Sequence, residues 1–475
     1  MTVGPTAAVP PADSVVWRRM HPVTPAIKGW KVLAAVLVFV TYQVGDDVRR
    51  AAELVDGGGW RILLGVLAAV VLVGFGYAAL AWRMTRFAVT DDAVHLHHGV
   101  VFRQQRQARL DRLQAVDVVQ PLLARFMGLA ELRLEVAGGA GSAVSLAFLK
   151  EDEAAELRAE LLARAAGVHT EEGEAKAPEA PEQPVFEVPM GRLAGATLRS
   201  WATVGLVVVI VAIVAMSVHS GDIAAAFFLL PGLLGLGGYF WAQLNQGANF
   251  RAAISPDGIR LRHGLTESRA QTVPPGRVQA LAITQGLLWR GVDWWRVEMN
   301  VAGYGGGQDD QATANVLLPV GTRDEAALAL WLVLPDLGTA DPRAVVDAGL
   351  SGTGDALGFT TVPRRARLFD PFAWRRRGVL VTDRALLVRS GWIFRRLVVV
   401  PHERTQSLAL EQGVVQRRLR VASLVVHSTP GPVHPQVQHL DQDVAAALLG
   451  EQADRARTAR AVARPEQWMR TGEGR

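Results

Sequence analysis

The chain has 475 residues, half of them hydrophobic and 20% charged, with a formal net charge of +5 from 50 Lys+Arg against 45 Asp+Glu. Such a length is too great for one ordinary core and points to about three units. The absence of cysteine excludes disulfides, a thiolate nucleophile and cysteine-bound metal, and the basic excess favours anionic surfaces as partners.

Residues 1–26 read as a polar tail. In residues 27–82, Val32 to Val44 is uncharged and gains length from Ile27 and Trp30, while Ile62 to Trp82 is an uncharged run of 21 residues. Such runs are long enough to cross a hydrocarbon layer of about 30 Å, and the polar loop GDDVRRAAELVDGGG between them predicts a transmembrane hairpin. A second hairpin is expected in residues 191–244, from Trp201 to Val218 and from Ile223 to Leu244, with Pro231 kinking its second helix. Arg18, Arg19, Lys28 and Lys31 precede the first helix, Arg83 and Arg86 follow the second, and Arg192, Arg199 and Arg251 flank the others. By the positive-inside rule this bias places the termini and all large segments in the cytoplasm of a plasma-membrane protein with four helices.

Residues 83–167, 245–337 and 378–463 carry one pattern three times. A hydroxyl residue (Thr90, Ser255, Thr382) sits nine positions before a glycine (Gly99, Gly264, Gly391), and an arginine (Arg112, Arg277, Arg404) sits thirteen after it. Fixed offsets then bring a glutamine (Gln114, Gln279, Gln406), a second glutamine (Gln120, Gln285, Gln412) and a last arginine (Arg125, Arg290, Arg417). Turn signals and alternating apolar residues predict short antiparallel strands, with the glycine in a hairpin turn. Each unit ends in a helical pattern: Glu151 to Ala166, Arg323 to Leu334, and Asp443 to about Ala461 after Asp441 as N-cap. The shared arginines and glutamines are expected to fix strand ends and turns through hydrogen bonds to backbone carbonyls.

The motifs RLQAVDVVQPLLAR, RVQALAITQGLLWR and RTQSLALEQGVVQR, placed behind apolar hairpins, resemble the bacterial pleckstrin-homology-like domain family of YdbS/YdbT type membrane proteins. That resemblance implies an α+β membrane protein: two transmembrane helical hairpins and three cytoplasmic PH-like β-sandwich or barrel domains, each closed by a C-terminal helix. No helix pair precedes the third domain.

Residues 168–190 are rich in Glu, Pro and Ala and read as a solvated linker. Residues 303–312, GYGGGQDDQA, read as a hairpin loop, because no phosphate-binding motif continues into a helix there. Residues 338–377 read as a second linker ending in RRARLFDPFAWRRR. Its Arg364, Arg365, Arg375, Arg376 and Arg377 around Phe369, Phe372 and Trp374 fit a membrane-surface contact, since aromatic rings settle at headgroup depth and each basic side chain near an anionic leaflet gains ~1 kcal/mol. Residues 464–475 read as a tail.

No catalytic, cofactor-binding or metal-binding motif emerges. His95, His97 and His98 align with Arg260 and Arg262, or with Leu387 and Arg389, in the other repeats, so the pattern demands no ligand there. Dispersed arginines without a helix-turn-helix or an RNA-binding aromatic signature argue against nucleic acid. Basic residues near the glycine turn, Arg103, Arg106, Arg260, Arg262, Arg269, Arg389, Arg395 and Arg396, are candidates for anion contact. The expectation is a non-catalytic binding or assembly scaffold on the inner leaflet, with the lipid bilayer as partner. Its ligand is left open among anionic lipid headgroups, an added peptide strand, self-association or a membrane protein. The alternative is an accessory subunit of a membrane export or antimicrobial-peptide resistance system.

Overall fold

The computed structural model describes residues 17–24, 59–90, 92–99, 104–110, 113–136, 144–165, 183–221, 229–255, 258–274, 276–302 and 315–462. The chain forms two compact units, one within residues 1–177 and one within residues 178–475.

In the first unit, β1 (Arg18–Arg19) is followed by helix α1 (Gly59–Met84), then β2 (Arg86–Val89), β3 (Ala93–His98) and β4 (Gln104–Arg109). These strands form an antiparallel sheet in the order β1-β2-β3-β4. Next come β5 (Leu113–Pro121), the short helix α2 (Leu122–Phe126), β6 (Leu129–Val136), β7 (Val144–Lys150) and α3 (Glu151–Ala165), with β5, β6 and β7 in an antiparallel meander. Phe87, Val94 and Leu96 from the first sheet meet Val116, Leu132, Leu134 and Leu146 from the second, and α3 closes this core with Ala154, Leu157 and Leu161. The side chains alternate along each strand, so one face of each sheet turns inward. Met20 joins the same core, and the Trp82 indole on α1 donates to its carbonyl at 3.0 Å.

The second unit holds the other two repeats. It opens with β8 (Gln183–Glu187), α4 (Met190–Leu198), α5 (Trp201–Ser220) and α6 (Leu230–Gly247). An antiparallel ladder follows, formed by β8 with β9 (Arg251–Ser255), β10 (Gly258–His263) and β11 (Glu267–Val273). The repeat continues with β12 (Val278–Gln285), β13 (Trp295–Val301), β14 (Val316–Gly321) and α7 (Arg323–Val333). Thr322 caps α7: its side chain accepts from the Glu325 amide while Glu325 reaches back to the Thr322 amide, a reciprocal capping box. The third repeat comprises α8 (Pro342–Ser351), β15 (Thr360–Thr361), β16 (Gly378–Val381), β17 (Ala385–Ser390), β18 (Arg395–Pro401), β19 (Ser407–Glu411), α9 (Val414–Arg418), β20 (Val421–His427), β21 (Gln436–Asp441) and α10 (Gln442–Val462).

One seven-stranded sheet runs β14-β13-β12-β18-β17-β16-β15, and β19-β20-β21 form a separate sheet of three. The seven-stranded sheet thus joins the last three strands of the second repeat to the first four of the third. At the seam β12 and β18 are antiparallel, with Leu281 opposite Val399 and Ile283 opposite Leu397. β12 is covered on both faces. Its Ala280 and Ala282 enter the core of the third repeat, among Leu386, Val398, Leu424 and Leu440, while Leu281 and Ile283 are also fully buried. Asn300 on β13 pins the same junction: its amide donates to the carbonyls of Thr429 (3.1 Å) and Val433 (2.7 Å) and accepts from the Val433 N–H at 2.9 Å.

The fold class is corrected in one respect. Among the described residues a single helical segment, Trp201–His219, is long and apolar enough to cross a membrane, in place of the two transmembrane hairpins and four-helix topology expected from the apolar runs. Residues 223–228 of the run that begins at Ile223 lie outside the described residues. α6 starts at Leu230 with Pro231 in its first turn, where proline begins a helix instead of kinking one. Its polar end is tied to the following sheet, as the Asn245 carboxamide accepts from the N–H and hydroxyl of Thr266, both at 2.7 Å. The first run of the proposed first hairpin lies outside the described residues.

Parts of both linker segments carry regular structure. Part of the segment 168–190 is strand β8, and segment 338–377 contains α8 and β15. Asp341 caps α8 by accepting from the Ala344 N–H at 3.0 Å, with Pro342 in its first turn. Residues 303–312 lie outside the described residues.

Candidate membrane-contact site

The repeated hydroxyl and glycine build the turns of each first sheet. Thr90 accepts from the Ala93 N–H (3.1 Å) and donates to its carbonyl (2.8 Å), Thr382 does the same with Ala385, both at 3.0 Å, and Ser255 donates to the Gly258 carbonyl at 3.2 Å. Gly99, Gly264 and Gly391 have φ of 114°, 116° and 80°, values open to glycine and strained for other residues. A Cβ at Gly264 or Gly391 would also collide with the carbonyl oxygen of Glu267 or Phe394.

In the third repeat this turn, between β17 and β18, is aromatic. Trp392, Ile393 and Phe394 are 48%, 43% and 56% exposed, and Phe372, 73% exposed, joins them with its ring centroid 5.7 Å from that of Trp392. Large apolar side chains gathered on a surface mark an interaction site more than scattered ones do. Arg290 from the second repeat supports the turn, donating to the carbonyls of Trp392 and Ile393, with its guanidinium 5.9 Å from the Trp392 ring centre.

Behind the turn lies a group of arginines. Arg376 Nη2 donates to the carbonyls of Gly349 (3.0 Å) and Leu350 (2.6 Å), its Nη1 to Gly352 (3.0 Å) and its Nε to Ser390 (3.3 Å). Arg389, fully buried, donates to the carbonyls of Ala348 (3.0 Å), Arg376 (2.8 Å) and Gly354 and stands 4.4 Å from the Phe359 ring centre. Both cations therefore cap the C-terminus of α8, where unpaired carbonyls and the helix dipole favour positive charge. Burial, then the neighbouring cations of Arg395, Arg389 and Arg290, pull Arg376 down to about 9. Burial and the Arg395 charge also lower Arg290. Arg290, Arg376, Arg389 and Arg395 thus gather behind the aromatic turn.

The basic-aromatic segment is only partly on the surface. Arg364 and Arg375 are exposed, as is Phe372. Arg376 faces inward as described, Arg377 pairs with Asp370 at 2.7 Å, and Arg365 bonds the Asp441 carboxylate and the Arg420 carbonyl. Phe369 stacks on His439 at 4.4 Å and 8°, and Trp374 packs against the core. Trp392, Ile393 and Phe394 are the additional members. Their signal was SGWIFRR, an aromatic run at a glycine turn.

The framework residues also diverge. Gln285 donates to Asp293 at 3.0 Å and accepts from Arg395 at 3.3 Å, while Arg323 holds the same carboxylate at 3.1 Å. Burial raises the Asp293 pKa, but hydrogen bonds from Arg323, Trp295 and Gln285 outweigh it and hold the carboxyl below its usual range. Gln412 donates to the Val421 carbonyl at 3.2 Å and to Gln442 at 2.9 Å, and Gln279 to the Arg277 carbonyl at 3.3 Å. Arg404 lies against Gly276. Arg125, Arg417 and Gln406 are exposed, and Gln120 and Arg277 are half-buried. Gln114 contributes its backbone to β5, and Arg112 lies outside the described residues.

Repeats of two packed sheets closed by a helix, each turning on the same hydroxyl and glycine, define an array of PH-like domains. The chain belongs to the bacterial PH domain family, whose profile matches residues 33–165, 195–332 and 344–456. It is also 21% identical over 267 residues to the UPF0699 transmembrane protein YdbT of Bacillus subtilis (strain 168), an alignment covering 51% of this chain and 54% of that protein. The chain thus spans about half the length of this curated relative.

Proposed function

We propose that the chain is a non-catalytic, membrane-associated protein whose third PH-like domain rests on an anionic leaflet through the β17–β18 turn. The observation that carries this reading is the exposed set Phe372, Trp392, Ile393 and Phe394 backed by Arg290, Arg375 and Arg395. Aromatic side chains enter the headgroup region, and each nearby basic residue adds ~1 kcal/mol on an anionic surface. α5, apolar along its whole length and unburied by the rest of the chain, gives the protein a membrane-inserted element, in keeping with the transmembrane relative. Lipid headgroups are the ligand class in this reading, while Arg376 and Arg377 are internal supports and Arg365, though exposed, is held by Asp441.

The chain lacks cysteine, so single labels can be introduced. Full-length protein carrying a fluorophore at Ile393→Cys, reconstituted in vesicles with anionic lipid, should be quenched by headgroup-proximal nitroxide lipids, and less so at high salt. A label at Asp383→Cys, on the opposite end of β17, should not be. Equal quenching at both positions, or none at Ile393→Cys, refutes the contact.

A further inference from the structure

The last sheet of the chain has an edge that the preceding repeat shows how to cover. β12 and β19 are the same strand of consecutive repeats: Leu281, Ala282 and Ile283 correspond to Leu408, Ala409 and Leu410. β12 is paired on both sides, by β13 and β18, and its Leu281 and Ile283 are 1% and 0% exposed. Among the described residues, β20 is the one ladder partner of β19, and Leu410 is 40% exposed. Beyond the strand, Val414 and Val415 add exposures of 72% and 49%. Exposed edges are ordinarily blunted by charge or polarity. The edge strand β4 follows that rule with the sequence QQRQAR, whereas β19 reads SLALE.

We infer that β19 is a self-association edge and pairs antiparallel with β19 of a second copy, extending the three-stranded sheet to six strands across a two-fold axis at Ala409. The sequence is self-complementary in that register. Leu408 of each copy stands opposite Leu410 of the other, on the face whose Leu408 already packs on the core of the third repeat. Ser407 stands opposite Glu411, and no like charges meet. Cross-strand apolar pairs are the unit of sheet stabilisation, and a two-fold contact of this kind closes on itself as a dimer. β4 is a poorer occupant, because in the register of β12 with β18 it would set Gln105 and Gln107 against the leucines.

Full-length protein in detergent or nanodiscs tests this. Ala409→Cys should give a covalent dimer under mild oxidation, because opposite residues of an antiparallel pair sit ~4.5–5.5 Å apart at Cα, within disulfide reach. Gln105→Cys should not. Leu410→Lys should convert dimer to monomer by sedimentation, and the exposed position leaves the fold intact by circular dichroism. A monomeric wild type, an Ala409→Cys chain that stays uncrosslinked, or a Leu410→Lys dimer overturns the proposal. So does efficient cross-linking of Ala409→Cys to Arg106→Cys in mixed samples, which would assign β4 as the docking strand.

Discussion

Replacing Asn300 with Ala should cost the chain about 3 kcal/mol. The side chain is 1% exposed and makes three hydrogen bonds, at 3.1, 2.7 and 2.9 Å, to Thr429 and Val433 in the loop between β20 and β21. Truncation leaves two carbonyls and one N–H without their partner in a site closed to water. Each such bond carries a net ~1 kcal/mol, and stranding a buried partner costs ~1–3 kcal/mol. Against a typical total stability of ~5–15 kcal/mol, the change is large. Denaturant titration of the full chain in detergent, followed by tryptophan fluorescence, should show an earlier transition, and hydrogen exchange at the Val433 amide should accelerate in step. A loss below ~0.5 kcal/mol, or unchanged protection at Val433, would refute the view that this residue locks the second repeat to the third.

His263 is held at about 4, well below its ordinary 6.5, by burial and then by Arg269, partly offset by the bond to the Gln246 carbonyl. Between those values the unfolded chain binds a proton that the folded chain refuses, so stability should fall by up to ~3 kcal/mol as pH drops from 6.5 towards 4. His263→Gln should flatten that part of a pH–denaturation curve. Gly391→Ala should destabilise by at least ~1–3 kcal/mol through left-handed strain and collision, and it should displace Trp392, reducing quenching of the label on that turn. A fragment of residues 340–475 should fail to fold cooperatively by calorimetry, because it lacks Ala280 and Ala282 of β12, and adding residues 278–301 should restore a transition.

The repeat was legible because its signature is local. A hydroxyl closing a turn three residues ahead and a glycine at positive φ are set by backbone geometry, so Thr90, Ser255, Thr382 and their glycines could be aligned without knowing the fold. The last closing helix was legible for the same reason, through Asp441, which accepts from the Asp443 N–H at 3.0 Å, whereas the cap of α8, Asp341 with Pro342, sat in a stretch read as linker. Missing α8 hid the role of Arg376 and Arg389. Three consecutive arginines look like a solvated face unless a helix C-terminus with unpaired carbonyls is known to lie behind them. Pro231 misled in another way: it was read as a kink inside the run from Ile223 to Leu244, whereas it lies in the first turn of α6, which begins at Leu230 and whose Asn245 bonds Thr266.

The edge-to-edge pairing of β12 with β18 between repeats was the least legible feature. Spacing shows that β12 and β19 are equivalent, but hydrogen-bond partners depend on which chain segment reaches the edge first. The one sequence trace is composition: VQALAITQ is apolar on both faces, as a strand buried on both sides requires, and SLALE keeps only part of that character. At this seam the second and third repeats are coupled, because β12 lends Ala280 and Ala282 to the core of the third repeat. An array built this way carries its cooperativity through seams such as Leu281 opposite Val399. Among the described residues it also leaves β19 with β20 as its one ladder partner, and the chemistry of that edge, two leucines flanking an alanine, suits another copy of itself better than it suits water.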